Sequence, residues 1–118
     1  PACYVDAEMV AQALGNILVN AIDATPENGK VAFRAVLRGD EIVFEIADNG
    51  LGIHLDPGEN LFVPFFTQKE GGTGLGLTIA QRTIQAHGGR ISYRNREEGG
   101  ALFEIRLPVQ RPNTQLAE

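Results

Sequence analysis

The sequence predicts a two-layer α/β sandwich in which helices cover one face of a mostly antiparallel sheet. Three observations lead to this prediction: a long amphipathic stripe near the start, two pairs of strand-like segments joined by turns, and a second helical stripe between the pairs. The chain has 118 residues, the size of one domain, and 43% of them are hydrophobic, which is enough to bury a core.

The first helix is predicted to follow Asp6, which can cap its N-terminus, and to end near Thr25-Pro26. Apolar residues recur at the i, i+3, i+4 spacing of an amphipathic helix: Met9, Val10, Ala13, Leu14, Ile17, Leu18, Ala21 and Ile22. On the polar side, Asn16, Asn20 and Asp23 share one face, within roughly 60° of arc. Their oxygens would suit a hard cation such as Mg²⁺, and a solvated polar face is the alternative interpretation.

The first strand pair is predicted at residues 30–37 and 41–47, joined by a hairpin turn at Gly39-Asp40. Its second strand is mostly apolar and β-branched, as a strand covered by a helix should be. The second pair is predicted at residues 90–95 and 101–109, around a Glu-Glu-Gly-Gly turn.

The second helix is predicted over residues 73–87, because a helical pattern resumes there and Gly88-Gly89 is a C-terminal signal. The segment from about 51 to 72 follows neither period and is predicted to be a lid or binding loop. Residues 110–118 are polar and are expected to form a tail or the start of a linker, so the domain would span residues 1–109.

A glycine-containing segment, Asp-Asn-Gly-Leu-Gly-Ile, begins at Asp48, directly after the second strand. A carboxylate there could accept a hydrogen bond from a ligand's amino group, and Gly50 and Gly52 would let the backbone approach that ligand. A simple Asp-Asn-Gly turn is the alternative interpretation.

The second helix opens with Gly-Gly-Thr-Gly-Leu-Gly-Leu at residues 71–77. Glycine inside a helix costs up to about 1 kcal/mol against alanine, so four of them suggest a function. Backbone N–H groups at a helix N-terminus bind anions, and Lys69 lies just upstream, where it could reach a phosphate. Neither the P-loop spacing nor the dinucleotide glycine pattern fits this segment.

Charge and cysteine content exclude several function classes. Ten basic and fifteen acidic residues give a net charge of −5, without a Lys/Arg cluster, which argues against nucleic-acid binding and polybasic membrane binding. A lone Cys3 excludes an internal disulfide and fits a reducing compartment, so a cytoplasmic location is expected. The chain does not begin with Met and is interpreted as a piece of a longer protein, which could be membrane-anchored elsewhere.

These segments together resemble the motifs of the GHKL ATPases, which include gyrase, heat-shock chaperones, histidine kinases and mismatch-repair proteins. Residues 16–25 resemble the N box, residues 48–53 the first glycine box and residues 71–77 the second. Residues 61–69, Leu-Phe-Val-Pro-Phe-Phe-Thr-Gln-Lys, are similar to the F box of sensor histidine kinases. The motifs stand in the family's order between Asp6 and Pro108, which implies a Bergerat fold and the catalytic, ATP-binding domain of such a kinase.

The resemblance implies ATP and Mg²⁺ as ligands, with three residues in catalytic roles. Asn20 would ligate the Mg²⁺, Asn16 would support the phosphate side, and Lys69 would reach the terminal phosphate from the lid. Asp23 stands where many such kinases carry Lys, and this acidic variant is similar to the nitrogen-regulation and oxygen-sensing subgroup.

The resemblance also implies how the nucleotide would be held. Asp48 would accept a hydrogen bond from the adenine amino group, with Gly50, Gly52 and Ile53 beside the purine. The phosphate chain would lie against a run of residues at the second helix: Gly72, Thr73, Gly74, Leu75, Gly76 and Leu77. Leu102 occupies a place where Thr is common, so a hydroxyl contact to adenine there would be lost.

The residue at position 16 indicates the type of reaction. Water-splitting members of the superfamily carry a Glu base there, and the amide of Asn16 cannot deprotonate water, which favours transfer to a protein. His54 and His87 are interpreted as structural, so the acceptor histidine is expected on a separate helical dimerisation domain of the same full-length protein. A response regulator receiver domain would be the next partner, and the isolated catalytic domain is expected to be monomeric. The alternatives are a non-catalytic adenine-nucleotide module that regulates a partner and a hydrolysing member of the superfamily.

Overall fold

The computed structural model describes residues 7–55, 59–62 and 76–108. The elements within them are α1 (Ala7–Ala24), β1 (Val31–Arg38), β2 (Glu41–Asp48), α2 (Gly76–Ala86), β3 (Arg90–Asn95) and β4 (Ala101–Pro108). The four strands form one sheet of order β1-β2-β4-β3, and every pairing between them is antiparallel. The predicted fold class is therefore confirmed.

The predicted elements are present, and where both ends are described their bounds agree with the prediction to within two residues. Gly39, at φ +59°, forms the two-residue β1–β2 turn with Asp40. At the end of α2, the Gly89 N–H donates to the Ile84 carbonyl at 2.9 Å and Gly88 has φ +79°, which is the expected glycine C-cap. The predicted helix residues 73–75 and the predicted tail 110–118 lie outside the described residues.

The hydrophobic core lies between the helices and one face of the sheet. In β4, alternate residues are buried, as the period of a half-covered strand requires, and the register places Phe103 opposite Ile46 of β2. α1 packs against β2 and α2, and α2 packs against β3. The fully buried large side chains on this face and on the helices are Ile17, Ile46, Ile84, Phe103, Ile105 and Leu107.

The opposite face of the sheet is mostly polar around the fully buried Val43 of β2, and it carries ion pairs between neighbouring strands. Arg106 on β4 pairs with Glu104 at 2.7 Å and with Glu41 on β2 at 3.2 Å, and these hydrogen bonds raise the pKa of Arg106 above its ordinary value. Arg34 on β1 pairs with Glu45 on β2 at 3.0 Å. The two described helices pack on the same face of the sheet, as the two-layer prediction requires. Neither described helix combines the length and apolar character needed to cross a membrane.

Candidate functional site

Asp48 ends β2 and is only 2% exposed. Its Oδ1 atom accepts hydrogen bonds from the backbone N–H of Gly50 at 2.8 Å and of Ala101 at 3.3 Å. Within the described parts of the chain, Oδ2 receives no hydrogen bond. The carboxylate is thus fixed through one oxygen, which leaves the other as an acceptor for a ligand donor.

The loop that follows Asp48 packs against the C-terminus of α1. A Cβ added at Gly50 would overlap the carbonyl oxygen of Ala24, so the close approach requires glycine. Lys30 and Asn49 are joined by two hydrogen bonds. The Lys30 N–H donates to Asn49 Oδ1 at 2.7 Å, and the Asn49 N–H donates to the Lys30 carbonyl at 3.2 Å. These contacts hold the first glycine box beside the end of the predicted N box.

The same loop lies against the β3–β4 turn on its other side. Gly52 has φ +81°, and the Asn95 side chain pairs with the backbone of Ile53 through two hydrogen bonds of 2.6 and 2.9 Å. Arg96 Nη1 donates to the Asp48 carbonyl at 2.7 Å. Gly100, at φ +84°, packs so closely on the Asp48 backbone that a Cβ there would overlap it.

The polar face of α1 is directed toward the start of α2. Asn16 and Asn20 are half-buried and Asp23 is exposed, whereas the centre of the apolar stripe, around Ile17, is in the core. Asn16 Nδ2 lies 3.4 Å from the Gly76 carbonyl, a long hydrogen bond that links the N box to the first turn of α2. Leu77 is half-buried and packs against the core, so the N-terminal end of α2 is fixed beside α1. The N-terminal end of a helix favours negative charge, which suits a phosphate group.

A hydrogen bond joins the start of the predicted F box to α2. Thr78 Oγ1 donates to the Phe62 carbonyl at 2.8 Å in a buried setting. The Phe62 ring packs edge-on against Tyr93 with 5.2 Å between centroids, and the Tyr93 hydroxyl accepts from the Leu61 N–H at 3.3 Å. Phe62 is therefore part of the core as well as of the predicted F box.

The predicted site residues divide into two groups. The structure describes Asn16, Asn20, Asp23, Asp48, Gly50, Gly52, Ile53, Gly76 and Leu77. It brings Asn16 to Gly76, and it brings Asp48 and Gly50 to the end of α1. The remaining predicted site residues lie outside the described residues: Lys69, Gly72, Thr73, Gly74 and Leu75. Most of the predicted lid lies outside them too, and the lid residues that the structure describes are 51–55 and 59–62.

Three residues that contact the loop of residues 48–53 were not predicted from the sequence: Asn95, Arg96 and Ala101. Ala101 is the β4 residue that contacts Asp48, whereas Leu102, where the resemblance implies a lost hydroxyl contact, pairs in register with Ala47 on the other face of the sheet. Asn95 and Arg96 were assigned only to a hairpin, although asparagine is uncommon in strands and its place at a strand end was a usable signal. Both imidazoles have structural contacts: His54 Nε2 lies 2.8 Å from the Leu51 carbonyl, and His87 Nδ1 lies 2.7 Å from the Thr83 carbonyl.

Comparison with known families gives a match over residues 5–111 to the family described as histidine kinase-, DNA gyrase B- and HSP90-like ATPase. The chain is 41% identical over 105 residues to the sensor histidine kinase ZraS of Salmonella typhimurium. That alignment covers 88% of this chain but 23% of ZraS, so the chain spans about a quarter of this relative's length.

Solved structures show the same architecture. The catalytic domain of the histidine kinase ThkA, in a nucleotide-free form, has a TM-score of 0.79 and 38% identity, covering 89% of this chain and 69% of the ThkA chain. Full-length ShkA in complex with AMPPNP has a TM-score of 0.76 and 32% identity, covering 88% of this chain and 22% of ShkA.

Proposed function

Since the chain belongs to the family of histidine kinase-, DNA gyrase B- and HSP90-like ATPases, as a catalytic domain of the sensor histidine kinase type, we propose that it binds Mg-ATP and transfers the γ-phosphoryl group to a histidine of another domain. The main support within the structure is the Asp48 carboxylate, which is held by two backbone N–H groups at the end of β2 with Oδ2 left to accept. In this proposal, Oδ2 accepts a hydrogen bond from the adenine amino group.

The nucleotide extends from Asp48 across α1 toward the start of α2. Gly50, Gly52 and Ile53 line the purine, and the backbone from Gly72 to Leu77 lines the phosphate chain. Lys69 reaches the terminal phosphate. This direction is supported by the contact of Asn16 with Gly76, which brings the polar face of α1 and the N-terminus of α2 together. AMPPNP in the similar ShkA structure also supports an adenine nucleotide as the ligand.

The residues present fit a magnesium ion that is shared with the nucleotide. The described residues contain no cluster of three or more His, Cys, Asp or Glu side chains that could hold a metal ion. A half-buried amide oxygen on Asn20 is a suitable ligand for Mg²⁺, which commonly takes one or two protein ligands and completes its shell with phosphate oxygens and water. When bound, the ion neutralises developing charge on the phosphates.

Transfer is favoured over hydrolysis because of Asn16. This side chain donates through Nδ2 to the Gly76 carbonyl, and an amide cannot take a proton from water. Asn16 therefore orients the phosphate side of the site without activating water, and the attacking nucleophile comes from a protein histidine. Asp23 lies on the exposed edge of this face and completes the set of α1 residues that we assign to ATP binding.

We place the catalytic domain at residues 1–109 of a longer protein of the nitrogen-regulation and oxygen-sensing type, acting in the cytoplasm. Its partners are the helical dimerisation domain that carries the acceptor histidine and, after it, a response regulator receiver domain. Protein partners are favoured over nucleic acid because the net charge is −5 and because Arg34 and Arg106, on the described face of the sheet, are paired with glutamates.

The proposal is tested by supplying the acceptor domain as a separate chain, with Mg²⁺ and ATP labelled at the γ-phosphate. We expect acid-labile label on the acceptor histidine, and we expect Asn20→Ala to lower transfer by about 100-fold or more because the electrostatic support of the phosphates is lost. Asn28→Ala, in the exposed turn after α1, is the matched control and should transfer normally.

Two outcomes would contradict this assignment. ATP binding without any transfer would favour a regulatory nucleotide-binding module of the same fold. Fast turnover of ATP by the isolated domain would show that the inference from Asn16 is wrong.

A further inference from the structure

We propose that Asn95 and Arg96 are positioning residues of the adenine site, holding the loop of residues 48–53 in its binding conformation. The proposal rests on the proposed function, because it assumes that Asp48 contacts adenine. Neither residue belongs to the motifs that carry the family resemblance. Each reaches the loop from the β3–β4 turn, more than forty residues further along the chain.

The Asn95 side-chain amide forms two hydrogen bonds with the backbone of Ile53, in the way that the peptide group of a neighbouring strand would. Its Oδ1 accepts from the Ile53 N–H at 2.6 Å and its Nδ2 donates to the Ile53 carbonyl at 2.9 Å. This pairing requires both halves of an amide. An aspartate at this position would keep the acceptor and place a second oxygen against the Ile53 carbonyl, which repels it.

Arg96 holds the other end of the loop. Its Nη1 donates to the Asp48 carbonyl at 2.7 Å, a charge-assisted hydrogen bond, while Nη2 pairs with Glu98 Oε2 at 3.0 Å. The Glu98 backbone N–H and the charge of Arg96 lower the pKa of Glu98, so this pair stays charged at neutral pH. The turn is itself closed by the Arg96 N–H, which donates to the Gly100 carbonyl at 2.9 Å.

The two contacts hold a loop that contains two glycines. Gly50 and Gly52 stand between the gripped residues, and glycine has the largest backbone freedom of any residue. Fixing both ends reduces the entropy that the loop loses when a ligand binds, which raises affinity without any direct contact to that ligand. The bonds also set where Asp48 Oδ2 stands relative to the rest of the loop, so they affect the amino-group contact more than the phosphate contacts.

The test compares Asn95→Asp and Arg96→Gln with the control Arg38→Gln, whose side chain is exposed at the opposite end of the sheet. Each protein is titrated calorimetrically with Mg-ATP and with purine riboside 5′-triphosphate, which lacks the 6-amino group. We expect both test variants to bind ATP about 10-fold more weakly, as expected for a lost hydrogen bond, and to bind the analogue with a smaller loss. The preference for ATP over the analogue therefore shrinks, whereas the control keeps it.

Urea unfolding of each variant separates positioning from general stability, because destabilisation alone leaves the preference unchanged. Test variants that are less stable but keep the wild-type preference would overturn the proposal. If the wild-type protein binds the analogue as tightly as ATP, Asp48 does not contact the adenine amino group, and the proposed function, on which this inference rests, is contradicted. If one test variant does not fold, the other decides the question, because the two side chains grip different residues.

Discussion

At the scale of single residues, the structure gives Gly50 a second reason to be glycine, one that the motif did not suggest. Gly50 was expected to let the backbone approach a purine, and it also lies against the Ala24 carbonyl at the end of α1. Gly15, in the middle of α1, has nothing within 4 Å of where a Cβ would stand. These two positions therefore respond to the same substitution in opposite ways.

Gly50→Ala should destabilise the protein by about 1–3 kcal/mol, because the new methyl group overlaps a backbone carbonyl that must move. Gly15→Ala should stabilise it by up to about 1 kcal/mol, since it removes a helix-interior glycine without a clash. Urea unfolding of both variants measures this. Equal and small effects would mean that the loop is not packed against α1 as described.

Asp48 could be predicted as a site residue because it ends a buried strand and begins a glycine-containing turn, both of which are local signals. The hydrogen bonds from Asn95 and Arg96 to this loop could not be predicted, because they join residues that are 42 and 48 positions apart in the sequence. Only the folded sheet brings the β3–β4 turn to the end of β2.

At the scale of elements, hydrophobic periodicity predicted both helices and all four described strands. The apolar stripe of α1 was nevertheless wider than the buried surface. Ile17 is fully buried, whereas Met9 and Ile22 are 44% and 58% exposed. α1 packs over β2 and against α2, so residues on its flanks extend beyond the area that these elements cover.

This difference gives a matched pair of variants within one helix. Ile17→Ala should lower the free energy of unfolding by about 2–5 kcal/mol, because it leaves a cavity between α1 and the sheet. Ile22→Ala should change it by no more than about 0.5 kcal/mol, since an exposed side chain is replaced by a better helix former. Chemical denaturation at constant pH measures both, and a large loss for Ile22→Ala would indicate that its exposed face is covered in solution.

At the scale of the whole molecule, the order of the strands could not be read from the sequence. Each hairpin is local, and turn residues predict it, but the pairing of β2 with β4 joins two hairpins across the second helix. That pairing is what creates the site, because it places Ala101 beside Asp48. The family resemblance gives the order of the motifs along the chain. The tertiary structure shows that α1 contacts two of them, through Ala24 beside Gly50 and through Asn16 beside Gly76.

The acidic net charge is compatible with an anionic ligand because the site depends on local groups. The N-terminus of α2, the amide face of α1 and the backbone of the first glycine segment offer donors, whereas Glu41, Glu45 and Glu104 form their ion pairs on the opposite face of the sheet. A nucleotide can therefore bind to one side of a domain whose overall charge is −5.

The most direct test of the central claim is calorimetric titration of this chain with Mg-ATP and with Mg-GTP, run on the wild-type protein and on Asp48→Asn. Asparagine keeps the shape and the contacts of Oδ1 with the Gly50 and Ala101 N–H groups, but it presents an N–H donor to the adenine amino group. We predict that the wild-type protein binds ATP in preference to GTP, and that Asp48→Asn weakens ATP binding by about 100-fold or more without unfolding the protein. Asp40→Asn, in the exposed β1–β2 turn, is the control and should bind normally. Unchanged ATP affinity in Asp48→Asn, or equal binding of ATP and GTP by the wild-type protein, would contradict the account.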